Sequence, residues 1–241
     1  MNLILLFDDD FIDARRVRLV GRRQAYVNGV HRAALGDVLR VGRLNGRIGS
    51  GVISALGAGE LEMEVALERD PPAALPLTLI LALPRPKVLR RVLQGVVSMG
   101  IKRIVLVNAW RVEKSFWASP ALGAAALREQ LLLGLEQGGD TVLPALELRP
   151  RLKPFVEDEV PALIAGTRAL VAHPPATQPC PHAVAGAVTV AVGAEGGFIP
   201  YEVELLQAHG FEPVTLGPRP LRVEHAVPAL VGRLAPPTLL R

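Results

Sequence analysis

The feature that most constrains this chain is a change of hydrophobic period after a proline-rich break. Leu77 to Leu83 is an unbroken apolar run, and Lys87 to Met99 then sets Val88, Leu89, Val92, Leu93, Val96 and Val97 on one helical stripe, with Arg90, Arg91 and Gln94 opposite. Gly100 closes that helix, and Arg103 to Val107 reads as a second strand. Continuous apolar strands alternating with helices predict a parallel sheet covered on both faces, because only strands buried on both sides tolerate an unbroken apolar run. The same alternation predicts a helix over 121–137, strands over 168–172 and 187–192, a helix over 201–209, a strand over 212–215 and a closing helix over 223–234. The fold class is therefore α/β.

Upstream the pattern differs. Residues 23 to 67 hold short alternating segments separated by glycines, Ala25 to Val27, Asp37 to Arg43, Arg47 to Ala55 and Leu61 to Leu67, which predict a small antiparallel β-barrel. Between the two patterns lies Asp70-Pro71-Pro72-Ala73-Ala74-Leu75-Pro76, where prolines remove backbone donors and favour an extended link. Two domains follow, 1–70 and 76–241. A length of 241 residues, half of them hydrophobic, supplies enough apolar surface for both cores.

Composition excludes several classes. The single cysteine, Cys180, rules out an internal disulfide framework and a cysteine-cluster metal site, and points to the reducing cytoplasm. Asp8, Asp9 and Asp10 follow the first apolar run with no basic leader, so no export signal is read. The apolar runs fall short of the roughly 20 residues that cross a bilayer, so no membrane partner is expected. The formal net charge is +4. Its distribution is uneven: nine arginines lie between Arg15 and Arg47 against the single acid Asp37. Arg15, Arg16, Arg18, Arg22, Arg23 and Arg32 are candidate RNA contacts, since the planar guanidinium suits phosphate and base edges. The alternative is a solvated face balanced by Asp8 to Asp13 and Glu60 to Glu68.

Two glycine-bearing segments carry the chemistry. Thr189-Val190-Ala191-Val192 runs into Gly193-Ala194-Glu195-Gly196-Gly197-Phe198, and a helix opens at Tyr201. Val214-Thr215 runs into Leu216-Gly217-Pro218-Arg219-Pro220-Leu221-Arg222-Val223-Glu224-His225-Ala226, and again a helix follows. Ligands of parallel sheets sit outside the carboxyl ends of strands, where glycines let the backbone approach them. Each segment alone is equally well a turn; as neighbours they would build one crevice. Neither a G-x-G-x-x-G fingerprint nor a P-loop occurs, which disfavours a dinucleotide-dependent dehydrogenase. Both tryptophans lie in Trp110-Arg111-Val112-Glu113-Lys114-Ser115-Phe116-Trp117, where aromatics interleaved with cations suit either base stacking or burial in an interface.

Together, GAEGGF and LGPRPLRVEHA resemble the C-terminal motifs of the RsmE family, the uridine-N3 methyltransferases of 16S ribosomal RNA, whose pattern reads GPEGGF followed by LGxRILRTETA. His31 to Gly46, Lys87 and Glu136-Gln137 extend the resemblance over nearly the whole chain. The resemblance implies a PUA-like or OB-like N-terminal barrel joined to a SPOUT methyltransferase domain with a trefoil knot, a homodimer, and S-adenosylmethionine as cofactor. It implies 16S rRNA or the small ribosomal subunit as partner and no metal. By the same resemblance His173, Gly193, Glu195, Gly196, Gly197, Leu216, Gly217 and Leu221 would line the cofactor pocket. Methyl transfer to uracil N3 asks for charge stabilisation and proton handling, which makes Arg222 and Glu224 the catalytic candidates and His225, whose residue type titrates near neutral pH, a further proton acceptor. The chain departs from the family pattern at Ala194, Pro220, His225 and Gly138-Gly139-Asp140. The competing class is a non-catalytic RNA-binding or ribosome-assembly protein that keeps the fold, or a paralogue acting on another nucleotide.

Overall fold

The computed structural model describes residues 2–31, 33–57 and 59–235, with the backbone alone of Val30 and His31. The chain clusters into two compact units, one of Met1–Pro72 with Leu132–Leu143 and the other of Ala73–Leu131 with Pro144–Arg241.

In the first unit, strands β1 (Ile4–Leu6), β2 (Arg16–Val20), β3 (Val38–Arg43), β4 (Ile48–Leu56) and β5 (Glu60–Arg69) form one sheet in the order β1-β3-β4-β5-β2. β1 runs parallel to β3 and the remaining pairs are antiparallel, so the sheet is mixed rather than wholly antiparallel as expected. The expected strand Ala25 to Val27 is helical: α1 (Gly21–Tyr26) continues as a π-helical turn, Val27–His31. Burial explains the difference, because Val27 points into the core while its neighbours do not alternate. Ile4 and Leu6 of β1, Val17 and Leu19 of β2, Val41, Ile53, Leu61 and Met63 share one apolar cluster. Opposite that cluster, β2 and β5 present charge ladders: Arg16 lies across from Glu64 and Arg18 across from Glu62.

The second unit is built on six parallel strands, β6 (Leu77–Ala82), β7 (Arg103–Val107), β8 (Ala145–Arg149), β9 (Thr167–Ala172), β10 (Ala187–Val192) and β11 (Glu212–Val214), in the order β11-β9-β10-β6-β7-β8. Its helices are α2 (Pro86–Ser98), α3 (Lys114–Trp117), α4 (Ala124–Gly138), α5 (Leu152–Pro154), α6 (Val160–Leu163), α7 (Pro200–Ala208) and α8 (Val223–Leu234), with a π-helical turn Phe155–Glu159 between α5 and α6. The last turns of α4 belong to the first unit. α2 buries Leu89, Val92, Leu93, Val96 and Val97, each contributing roughly 1.5–3 kcal/mol when removed from water. α8 buries Val223, Val227, Leu230, Val231 and Leu234 and packs against α2 and β10. Strand β8 and the helical run after it are elements the alternation did not predict.

Candidate functional site

Register brings the strand ends together. Val192 of β10 lies level with Ala172 of β9 and Leu81 of β6, and Ala172 lies level with Val214 of β11. The chain therefore leaves β9 at His173, β10 at Gly193 and β11 at Thr215 along one edge of the sheet, and a cavity of about 280 Å³ opens between these exits. His173 lines it from β9, Gly193, Glu195, Gly196 and Gly197 from β10, and Leu216, Gly217 and Leu221 from the loop after β11. Ala194, Phe198, Val223 and Leu230 supply apolar wall, and Arg111 and Arg219 supply charge.

The glycine loop needs its glycines for contact as well as conformation. A Cβ on Gly193 would stand 2.7 Å from the Cα of Gly197 and 2.8 Å from the nitrogen of Phe198, both backbone atoms that cannot yield. Gly197 has φ +67, the left-handed region that side chains disfavour, and its amide donates to the carbonyl of Ala194 at 2.8 Å. Four hydrogen bonds then stitch this loop and its flank to their neighbours. The Glu195 carboxylate accepts from the amide of Arg85, just before α2, at 3.0 Å. Arg111, after β7, lays its side-chain stem on Gly196 and donates to the Gly196 carbonyl. The buried Glu202 carboxylate of α7 accepts from the amides of Ile199 at 2.9 Å and Trp110 at 2.7 Å.

The opposite wall is held from both ends of the β9–β10 connection. His173 donates its amide to Val214 O at 2.9 Å, Thr215 donates to Gln178 O at 2.9 Å, and Cys180 donates back to Thr215 O at 2.8 Å. Further along, Ala183 and Val184 donate to Arg233 O and Leu234 O in the last turn of α8, at 2.8 and 3.0 Å. Burial lowers the His173 imidazole below its ordinary value of 6.5, which keeps the ring neutral at neutral pH. Burial likewise pushes the Cys180 thiol up, leaving it a packing group.

Not every residue expected at the site lies in the cavity wall. Arg222 is exposed and caps α8, between the wall residues Leu221 and Val223. Glu224 pairs with Arg91 of α2, at 3.8 Å. His225 is exposed on α8. Glu202, and Arg111 as a cavity residue, are additions from the structure; the signal for Glu202 is a glutamate in the first turn after Pro200, and that for Arg111 its place among the aromatics and cations of the Trp110 to Trp117 segment.

The arginines of the first unit are mostly engaged. Arg16 pairs with Asp13 at 2.7 Å, and the Asp13 carboxyl is pulled down to about 2, first by the Arg15 amide and then by the Arg16 guanidinium. Arg18 pairs with Glu62 at 2.7 Å, Arg22 with Glu136 at 2.9 Å, and Arg23 with Asp10 at 2.7 Å while stacking on Phe7. Of these five, Arg15 alone forms no ion pair among the described residues. Arg32 lies outside the described residues.

Among the described residues no helix is long and apolar enough to cross a membrane, and no three His, Cys, Asp or Glu side chains gather as a metal site. Residues 71–235 match the model of the RNA methyltransferase domain family. The chain is 31% identical to ribosomal RNA small subunit methyltransferase E of Treponema pallidum, over 94% of this chain and 87% of that protein. It is 27% identical to the protein of the same name in Mycobacterium bovis, over 96% of this chain and 91% of that one. Its fold is shared with ribosomal RNA small subunit methyltransferase E of Neisseria gonorrhoeae, solved bound to S-adenosyl methionine, with a TM-score of 0.74, 20% identity and 98% of each chain covered. A six-stranded parallel sheet whose paired glycine loops close on one cavity is thus joined to sequence kinship along almost the whole length, and the chain belongs to the RNA methyltransferase family of ribosomal RNA small subunit methyltransferase E.

Proposed function

We propose that the chain is an S-adenosylmethionine-dependent methyltransferase acting on N3 of a uridine in 16S ribosomal RNA. The observation that carries this reading is the single cavity lined from three adjacent strand ends, with both glycine segments in its wall. The cavity fits the cofactor's chemistry. Its volume of about 280 Å³ is near the lower end of small-ligand sites, its apolar wall suits an adenine ring, and Gly193 leaves backbone at the surface where a side chain would fill the space. A neutral His173 avoids setting a second cation beside a sulfonium.

Bound there, S-adenosylmethionine supplies an electrophilic methyl group on a sulfonium sulfur. Uracil N3 must pass its proton to water or to a base, for which His225 is the candidate, as its bond to the methyl carbon forms and the carbon–sulfur bond breaks, so negative charge develops on the imide oxygens. Arg222 would stabilise that charge from outside the cofactor pocket, a role supported by its exposure between the wall residues Leu221 and Val223. Glu224 acts as a positioning residue: its pairing with Arg91 ties the first turn of α8 to α2 and so fixes the direction of Arg222.

The finer architecture belongs to the same reading. A trefoil knot is supported by the β9–β10 connection, which bonds both to Thr215 and to the last turn of α8. A PUA-like or OB-like role for the first unit is supported by its five-stranded sheet around one apolar cluster. The protein works as a cytoplasmic homodimer, as the family resemblance implies. Calorimetry with S-adenosylmethionine, followed by mapping of methylated uridines in 16S RNA from a deletion strain and its complemented parent, tests the function. The expected result is binding and one restored N3-methyluridine. Absence of cofactor binding would overturn it in favour of a non-catalytic RNA-binding protein, and restoration of a different modified nucleotide would replace the target.

A further inference from the structure

The RNA-docking surface can be located by asking which cations are still free to meet phosphate. In the first unit they are largely spent on Asp10, Asp13, Glu62 and Glu136. Around the cavity mouth the balance reverses. Arg85, Lys87, Arg90, Arg219 and Arg222 are exposed, and among the described residues none forms an ion pair. The acids of the same loops and helix starts are Glu113, Glu195, Glu202 and Glu224, of which Glu195 and Glu202 are bonded to amides and Glu224 to Arg91. Sheet order makes this one surface, because β6 lies between β10 and β7. The start of α2 therefore sits between the glycine loop and the loop of Trp110.

Trp110 adds what a charged patch alone lacks. It is 80% exposed, although its backbone is fixed: the amide is held by buried Glu202, and Ala109 and Val112 on either side are buried. The adjacent Arg111 lines the cavity. A large ring held out rigidly beside a reaction pocket, at the edge of unpaired cations, has the composition of a single-stranded nucleic acid site, with cations along the backbone and an aromatic platform for a base. We propose that single-stranded RNA docks on this rim of the second unit, its phosphates on Arg85, Lys87 and Arg90 and an unpaired base on Trp110, rather than on the arginine-rich face of the first unit. The proposal rests on the RNA methyltransferase reading.

A Trp117→Phe protein makes Trp110 the sole source of tryptophan emission, and titrating it with a uridine-containing single-stranded oligoribonucleotide is expected to quench that emission. Trp110→Ala is expected to weaken RNA binding roughly 5- to 150-fold, with Trp110→Phe retaining most of the affinity. Lys87→Ala with Arg90→Ala is expected to flatten the slope of log affinity against log salt by about 0.7 per lost phosphate contact, while Arg16→Ala with Arg18→Ala leaves it unchanged. All of these proteins should bind S-adenosylmethionine as the parent does. Emission indifferent to RNA, or a salt slope lost in the Arg16 and Arg18 variant instead, would overturn the proposal. So would emission that shifts with protein concentration alone, since a second copy would then be covering Trp110. Failure of the unsubstituted protein to bind S-adenosylmethionine would instead overturn the activity on which the surface rests, a separable result.

Discussion

Gly193 has backbone within 3 Å of where its Cβ would be, so the smallest possible side chain already has nowhere to go. Gly193→Ala is expected to weaken S-adenosylmethionine binding at least about tenfold and to lower stability by about 1–3 kcal/mol, the range of overpacked sites; calorimetry and urea unfolding read the two effects. Arg222 makes the contrasting case. Because it lies outside the cavity wall, Arg222→Ala should leave the cofactor Kd unchanged while lowering kcat by about 10²–10³-fold, the loss typical of a removed charge-stabilising donor. Near-parental turnover would remove Arg222 from the mechanism. His173 sets a pH dependence. Its folded value lies below the ordinary 6.5, so the favourable neutral ring persists above that value and is lost as pH falls through the lowered one. S-adenosylmethionine affinity should therefore be flat from pH 7 upward and decline in acid, and His173→Asn should abolish the decline.

Among the elements, α7 does more than cover the sheet. Glu202 in its first turn satisfies the amides of Ile199 and Trp110, and Glu202→Ala leaves both donors without that acceptor. Each orphaned donor costs about 1–3 kcal/mol when buried, so the urea midpoint should drop with an unchanged m-value. An unmoved midpoint would show that water replaces the carboxylate. The elements also mark what the sequence made legible. Strands β6, β7, β9 and β10 were readable because each is apolar on both faces, as burial at the centre of a parallel sheet demands. Strand β8 was not, because Ala145–Arg149 is an edge strand whose Glu147 and Arg149 pair with each other at 2.6 Å. The ladder of Arg16 and Arg18 against Glu64 and Glu62 is visible as alternation in both segments, yet only pairing shows that the charges cancel. The two glycine segments in the cavity wall were legible through glycine spacing, whereas Arg111 reaches the cavity from the end of β7, two strands away from β10, which spacing does not encode.

At the scale of the molecule, the first unit is not contiguous in sequence, since it recruits Leu132–Leu143. Within it, the buried Glu136 accepts two bonds from half-exposed Arg22, at 2.9 and 3.0 Å. Its carboxyl is nevertheless raised above 4.5, chiefly by burial, with Arg22 opposing. A raised acid favours the folded state fully below its unfolded value and loses that contribution as pH rises through the folded one. Arg22→Ala should therefore destabilise the protein by about 1–3 kcal/mol near neutrality, part of the pair being screened by water. The deficit should shrink toward pH 4, where Glu136 is protonated, and unfolding curves at the two pH values check it. An equal deficit at both would show that packing of the arginine stem, not the buried charge, carries the effect.

The order in which the cavity wall is translated has its own consequence. His173 is made early, Gly193 later, and Leu230 of α8 close to the end, yet all three line one cavity, and the β9–β10 connection is tied to residues as late as Arg233 and Leu234. A nascent chain still short of α8 owns every glycine of the loop but lacks the wall that Val223, Ala226 and Leu230 supply. If the proposed methyl-donor site is this cavity, binding there becomes a checkpoint on finished synthesis: a product that ends before codon 230 lacks part of the wall, however well its earlier strands have folded.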